Sequence, residues 1–150
     1  MKLEVGDIIP AFTAHDGDGK HFDSANYIGK KQLVIYFYPM DDTPGCTAQA
    51  CAFRDQYQDF TDLGAEVIGI SQDGAASHQN FSKQHQLPFI LLSDEDKKIQ
   101  ELFGLKPNFF GLLRGRSTYV ADKNGIIRMI YNSMSASTHI NKALESIKEQ

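Results

Sequence analysis

Cysteine is scarce in this chain, with two in 150 residues, Cys46 and Cys51. That is too few for the disulfide framework on which small secreted domains depend. A chain of this length buries enough surface to manage without one, so a single domain over residues 1–150 is expected. No apolar run is long enough to span a bilayer. The start, Met1-Lys2-Leu3-Glu4-Val5-Gly6-Asp7, lacks the apolar stretch of a signal peptide. Basic residues are not in excess either: the net charge of −4 argues against nucleic acid or an anionic membrane as partner. Internal repeats, low-complexity tracts and linkers are missing too. What is left is an ordinary globular composition, 41% apolar and 23% charged. The expected location is a reducing cytoplasm, where paired cysteines serve catalysis more often than structure.

The informative segment is Tyr38-Pro39-Met40-Asp41-Asp42-Thr43-Pro44-Gly45-Cys46, directly after the apolar run Leu33 to Phe37. That run reads as a buried central strand. Thr43 suits an N-cap and Pro44 the first helical position, where a missing N–H loses no bond. Gly45 and Cys46 then occupy the second and third positions. Their N–H groups have no acceptor within the helix, and the helix dipole adds partial positive charge. Both effects favour thiolate over thiol. Gly45 lets a small substrate approach the backbone, and the Thr43 hydroxyl either caps the helix or bonds a bound oxygen. Asp41 and Asp42 read as a solvated rim whose negative charge works against a thiolate, so a cation from elsewhere in the chain is required. A free cysteine is ordinarily an inert core residue. Its place at a helix start sets Cys46 apart.

From Pro44 onward Cys46, Ala50, Phe53, Tyr57 and Phe60 recur at helical spacing, and Gly64 lies just past the end. Val67 to Ile70 is a second buried strand. A helix over Ala75 to Gln86 closes before Pro88, followed by a short strand, Phe89 to Leu92, and a short helix, Asp96 to Phe103. Lys106 to Arg114 is loop-like. Ser117 to Ala121 and Ile126 to Tyr131 are strands joined by the hairpin signal Asp122-Lys123-Asn124-Gly125. Ile140, Leu144 and Ile147 mark a final amphipathic helix, and Phe12 to Phe22 a small N-terminal β-hairpin. Two βα units, a hairpin and a helix follow the order of a thioredoxin-like α/β fold, a central mixed sheet flanked by helices. In that fold the redox site lies where the first βα unit enters its helix, and Thr43-Pro44-Gly45-Cys46 falls there. Thr43 stands where a thioredoxin has cysteine, so a CxxC exchange centre is absent.

Pro39-x-x-x-Thr43-x-x-Cys46 resembles the active-site signature of the peroxiredoxins. The longer run from Phe37 to Thr47, with Cys51-Ala52-Phe53-Arg54-Asp55, resembles their bacterioferritin comigratory protein, or peroxiredoxin Q, branch. Gly69-Ile70-Ser71, Leu87-Pro88-Phe89, Leu92-Ser93-Asp94 and Arg116-Ser117-Thr118-Tyr119 extend the match along essentially the whole chain. The resemblance implies an AhpC/TSA-type thiol peroxidase acting on hydrogen peroxide and organic hydroperoxides. Cys46 is then the peroxidatic nucleophile, converted to a sulfenic acid, and Arg116 the required cation. Thr43 and the backbone at Gly45 and Cys46 position the peroxide, while Pro39 covers the site. Cys51 is implied as the resolving cysteine of an intramolecular disulfide, with thioredoxin or a similar dithiol protein as reductant. No metal or other cofactor is implied, and an internal resolving cysteine suggests a monomer. Two positions depart from the pattern: Met40, often Lys, and Gln49, usually Glu, which leaves the partner of Arg116 uncharged.

Five residues along a helix turn about 500°, roughly 140° net, and rise about 7.5 Å. The two cysteine Cα atoms then lie roughly 8 Å apart, beyond the bridging limit of about 7 Å. A Cys46–Cys51 disulfide therefore requires the first turns of the helix to open. The Gly-Gly-Leu-Gly and C-terminal Tyr-Phe motifs of peroxide-sensitive relatives are lacking, so resistance to over-oxidation is expected. His15, His21, His78, His85 and His139 show no ligand spacing and read as surface or capping residues, and Cys46 with Cys51 lacks the further ligands of a zinc site. Arg54, Asp55 and Arg114 read as surface ion-pair residues, with Arg54 also a candidate support for the site. Phe109 and Phe110 are candidates for an apolar collar. A redox sensor built on the same cysteine switch is the competing reading, but it has no need of Thr43 and Arg116. General disulfide exchange is disfavoured by Thr43.

Overall fold

The structure is a computed structural model that describes residues 3–105, 116–133 and 135–149, the side chains of 136 and 137 excepted. Seven strands form one sheet, β1 (Thr13–Asp16), β2 (His21–Asp23), β3 (Gln32–Phe37), β4 (Ala65–Ser71), β5 (Ile90–Ser93), β6 (Ser117–Ala121) and β7 (Ile127–Asn132), in the spatial order β2-β1-β5-β4-β3-β6-β7. β3 pairs in parallel with β4, and β4 with β5; β6 runs antiparallel to β3, and β7 to β6. The helices are α1 (Pro44–Asp62), α2 (Ala75–His85), α3 (Lys98–Leu102) and α4 (Ala136–Lys148). This is the mixed sheet expected, with the N-terminal hairpin on its edge.

The strand period of two sorts the core onto both sheet faces. Val34 and Tyr36 of β3, with Val67, Leu91 and Val120, pack under Phe53 and Phe60 of α1, Phe81 of α2 and Ile140 of α4. Leu33, Ile35 and Phe37, with Ile68, Ile70 and Tyr119, turn to the other face, against Phe12, Phe22, Ile99 and Phe103. Phe53 stacks on Tyr36 with centroids 4.6 Å apart and is fully buried. Burying such a side chain stabilises the fold by about 1.5–3 kcal/mol, and this fixes α1 over the sheet centre.

Element ends differ from the sequence reading by a residue or two. α2 stops at His85 because Gln86 turns left-handed, φ 52°, and α3 shrinks to five residues. Gly64, φ 81°, ends α1 in the conformation glycine adopts without strain. In the β6–β7 connection the Asp122 carboxylate accepts from the N–H groups of Asn124 (2.9 Å) and Ile126 (3.0 Å), which shapes the turn. An addition absent from the sequence reading is the N-terminal segment, where Ile8 bridges Ile126.

Candidate active site

Strand register brings the site together. β3 ends at Phe37, whose partner is Ser117, the first residue of antiparallel β6. Arg116 therefore sits one residue beyond that pair, at the same sheet edge from which the chain leaves β3 toward α1. Thr43 occupies the N-cap position with extended backbone, and Pro44 opens the helix. The first bond of the helix runs from Thr47 N–H to the Thr43 carbonyl at 2.8 Å. The N–H groups of Gly45 and Cys46 precede it and face out of the helix end.

Cys46 is 2% exposed and Arg116 6%. Arg116 Nη1 donates to Cys46 Sγ at 3.1 Å and to Gln49 Oε1 at 2.9 Å. The cation required at the sulfur is thus supplied, in a setting dry enough for its charge to act with little screening. Gln49 is fully buried and three residues past Cys46, on the same helix face. Its Nε2 has no partner among the described residues. Gly45 makes space for the guanidinium: a Cβ there would stand 2.5 Å from Arg116 Nη2. The glycine therefore admits the arginine, a role beyond the substrate access expected of it.

The Thr43 hydroxyl makes no capping bond and donates instead to the Met40 carbonyl at 3.1 Å. That aligns its proton away from the helix and leaves its oxygen lone pairs to accept from a peroxide O–H. Pro39 is half-buried next to this loop, and Met40 is 39% exposed at the rim. Both cysteines are free thiols; Cys51 is half-buried, and α1 runs unbroken through both.

Two sequence expectations need correction. Asp41 is not part of a solvated rim: it is 5% exposed and bonded to Tyr38, Ser77 and His78. His78 and His139 are fully buried, not surface or capping residues. The signal that could have found His78 is its spacing of three from Phe81, one buried face of α2. Arg54 makes the surface ion pair expected with Asp55, 3.1 Å, and also donates to the His85 carbonyl at the end of α2, 2.7 Å. Phe109, Phe110 and Arg114 lie outside the described residues.

Titration behaviour follows burial. Removal from water pushes the Tyr38 hydroxyl well above its ordinary value, with Tyr36 and Asp41 adding to the effect, so it stays a donor to Asp41. His139 is held below its ordinary value, first by burial and then by the charge of Arg116, against an opposing bond to the Ser133 carbonyl. Among the described residues no three His, Cys, Asp or Glu side chains are grouped to hold a metal ion, and no helix is long and apolar enough to cross a membrane.

Residues 5–130 match the model of the AhpC/TSA family. The chain is 47% identical to the chloroplastic peroxiredoxin Q of Suaeda salsa over 98% of its own length and 69% of the relative's. It is 49% identical to that of Arabidopsis thaliana, covering 98% and 68%. Among solved structures, peroxidoxin BcpB of Mycobacterium tuberculosis superposes with a TM-score of 0.91 at 30% identity, covering 98% of this chain and 97% of that one. The bacterioferritin comigratory protein of Xanthomonas campestris, described with an alkyl peroxide reduction activity, gives 0.85 at 28% identity over 95% and 98%.

Proposed function

The chain belongs to the AhpC/TSA family, in its peroxiredoxin Q branch, and is a thioredoxin-dependent thiol peroxidase; we propose that Cys46 is its peroxide-attacking nucleophile. The carrying observation is the 3.1 Å contact of Arg116 Nη1 with Cys46 Sγ at the start of α1. The Cys46 thiolate attacks one peroxide oxygen along the O–O axis. An S–O bond forms and the O–O bond breaks. The departing hydroxide or alkoxide takes up a proton to leave as water or alcohol, and Cys46 becomes a sulfenic acid. Arg116 and the N–H groups at the helix end face the charge that develops on the oxygens, and Thr43 orients the peroxide. Pro39 limits water access.

Cys51 serves as the resolving thiol. The Cys51 thiol gives up its proton and its sulfur attacks the sulfenic sulfur. The S–S bond forms as the S–O bond breaks, and the departing hydroxide takes up a proton to leave as water. A thioredoxin-type dithiol then reduces the resulting Cys46–Cys51 disulfide by exchange. The continuous α1 supports a cycle in which its first turns open for this step. Organic hydroperoxides are included as substrates by extension from the Xanthomonas campestris protein. With resolution inside one chain, a monomer suffices. Two free thiols and no structural disulfide suit a reducing compartment, cytoplasm in the sequence reading, although the plant relatives are named chloroplastic.

Stopped-flow reaction of the reduced protein with hydrogen peroxide tests the assignment. A rate far above that of free cysteine, abolished in Cys46→Ser, is expected. A rate like that of free cysteine would remove Cys46 from this role.

A further inference from the structure

The loop between β3 and α1 holds a buried acid that the chemistry above does not use. Asp41 Oδ1 accepts from Tyr38 Oη at 2.6 Å, and Oδ2 accepts from Ser77 Oγ at 2.8 Å. Oδ2 also lies 2.8 Å from His78 Nδ1, with both side chains at most 1% exposed. The Asp41 N–H donates to Asp73 Oδ2 at 2.7 Å, and the Ser71 hydroxyl donates to the same oxygen at 2.7 Å. On the far side of the imidazole, Nε2 is 3.0 Å from the Leu92 carbonyl.

Proton positions follow from these partners. A carbonyl only accepts, so Nε2 carries a proton. Between Oδ2 and Nδ1 another proton must lie, because two lone pairs at that distance repel. Whichever atom holds it, the Asp41–His78 pair is neutral as a unit. It can therefore be buried without leaving an uncompensated charge.

We propose that Asp41 and His78 are positioning residues for the peroxide step. They pin residues 40–43 to α2, to β5 through Leu92 and to the end of β4 through Asp73, so that Thr43, Gly45 and Cys46 meet Arg116 in the attack geometry. The next residue, Asp42, has φ 62°, a left-handed conformation that persists where neighbouring contacts over-determine it. The bonds of Asp41 on one side and the Thr43–Met40 bond on the other provide that determination. These anchors lie ahead of α1, so they favour the closed helix start that attacks peroxide over the opened one that forms the disulfide. The role rests on Cys46 being the nucleophile.

A slowed peroxide step beside a disulfide step that is not slowed is the signature. Asp41→Ala frees the loop and slows sulfenic acid formation, whereas disulfide formation, which needs opening, does not slow. Asn at this position can rescue. Its Oδ1 accepts from Tyr38, and its Nδ2 donates to Nδ1 of a neutral His78 and to the Ser77 oxygen, which reproduces a neutral network.

Stopped-flow measurement of both steps in the reduced full-length protein tests this. Asp41→Ala is expected to slow the peroxide step at least about tenfold, with disulfide formation unchanged or faster, and Asp41→Asn to return it to within roughly threefold of wild type. Ile127→Ala, in the core of the opposite sheet face, controls for lost stability and leaves the peroxide step unchanged. Should Asp41→Ala fail to fold, Ser77→Ala removes a single bond to Asp41 and is expected to slow the peroxide step roughly threefold. A wild-type peroxide rate in Asp41→Ala or, if that does not fold, in Ser77→Ala overturns the inference. So does an equal slowing of both steps, or a failure of Asn to rescue. A wild-type protein no faster than free cysteine defeats the Cys46 assignment instead, so the two failures are distinguishable.

Discussion

Gln49 accepts a 2.9 Å hydrogen bond from Arg116 through the same nitrogen, Nη1, that reaches Cys46 Sγ. The amide orients the arginine and brings no negative charge of its own beside the sulfur. Gln49→Ala removes that orientation. A hydrogen bond to a charged group contributes about 1.5–3 kcal/mol, and losing half of it in the transition state slows peroxide reduction roughly four- to twelvefold. Single-turnover oxidation followed by rapid quench and titration of the remaining thiols gives the rate, since the chain has no tryptophan to report it.

Gly45→Ala separates stability from activity. The backbone at Gly45 is not left-handed, so alanine is accommodated in α1, and its helix propensity is the better by up to about 1 kcal/mol. Its Cβ, however, would stand 2.5 Å from Arg116 Nη2, and the guanidinium must move off the sulfur. The expected variant melts no lower than wild type yet reduces peroxide at least about tenfold more slowly. Unchanged kinetics would show that Arg116 tolerates the shift.

Much of this arrangement is visible in the residues. Helical spacing of Ala50, Phe53 and Phe60 after an apolar strand places Cys46 at a helix start, since periodicity and capping chemistry are local properties. Asp41 was not legible in this way. Its partners Ser77 and His78 lie 36 and 37 residues away, and nothing local distinguishes a buried acid from one on a solvated rim. Arg116 lies 70 residues from Cys46. The chemistry of the thiol called for a cation, but only the family resemblance chose this one, and sheet register then explained it. The hydroxyl of Thr43 turned to Met40 because the tight turn at Asp42 brings that carbonyl within reach.

Acid stability depends on His139. Its Nε2 donates to the Ser133 carbonyl and its Nδ1 accepts from Thr118 Oγ1, each at 2.8 Å. Its folded-state value lies below the ordinary 6.5, through burial first and the nearby Arg116 second. The unfolded chain therefore binds a proton that the folded one resists, and stability falls as pH drops below about 6.5 toward the lower folded value. Urea unfolding at pH 7.5 and 5.5 should show a lower midpoint at 5.5. In His139→Gln this part of the pH dependence should vanish.

Oxidation should open α1 only in part. Phe53 is held by its stack on Tyr36 and Arg54 by the His85 carbonyl, which together anchor the helix beyond Cys51. Amide exchange in the oxidised protein is expected to lose protection over residues 45–52 and to keep it from Phe53 onward. Equal protection of the first turns in both redox states would refute the opening.

The division of labour between the two sulfurs is tested most directly by mass spectrometry of the reduced protein after one equivalent of hydrogen peroxide. The expected result is a loss of two hydrogens mapped to a link between Cys46 and Cys51. A sulfenic acid persisting on Cys46 beside a free Cys51 would remove the resolving role of Cys51, and an unmodified Cys46 would contradict the account at its centre.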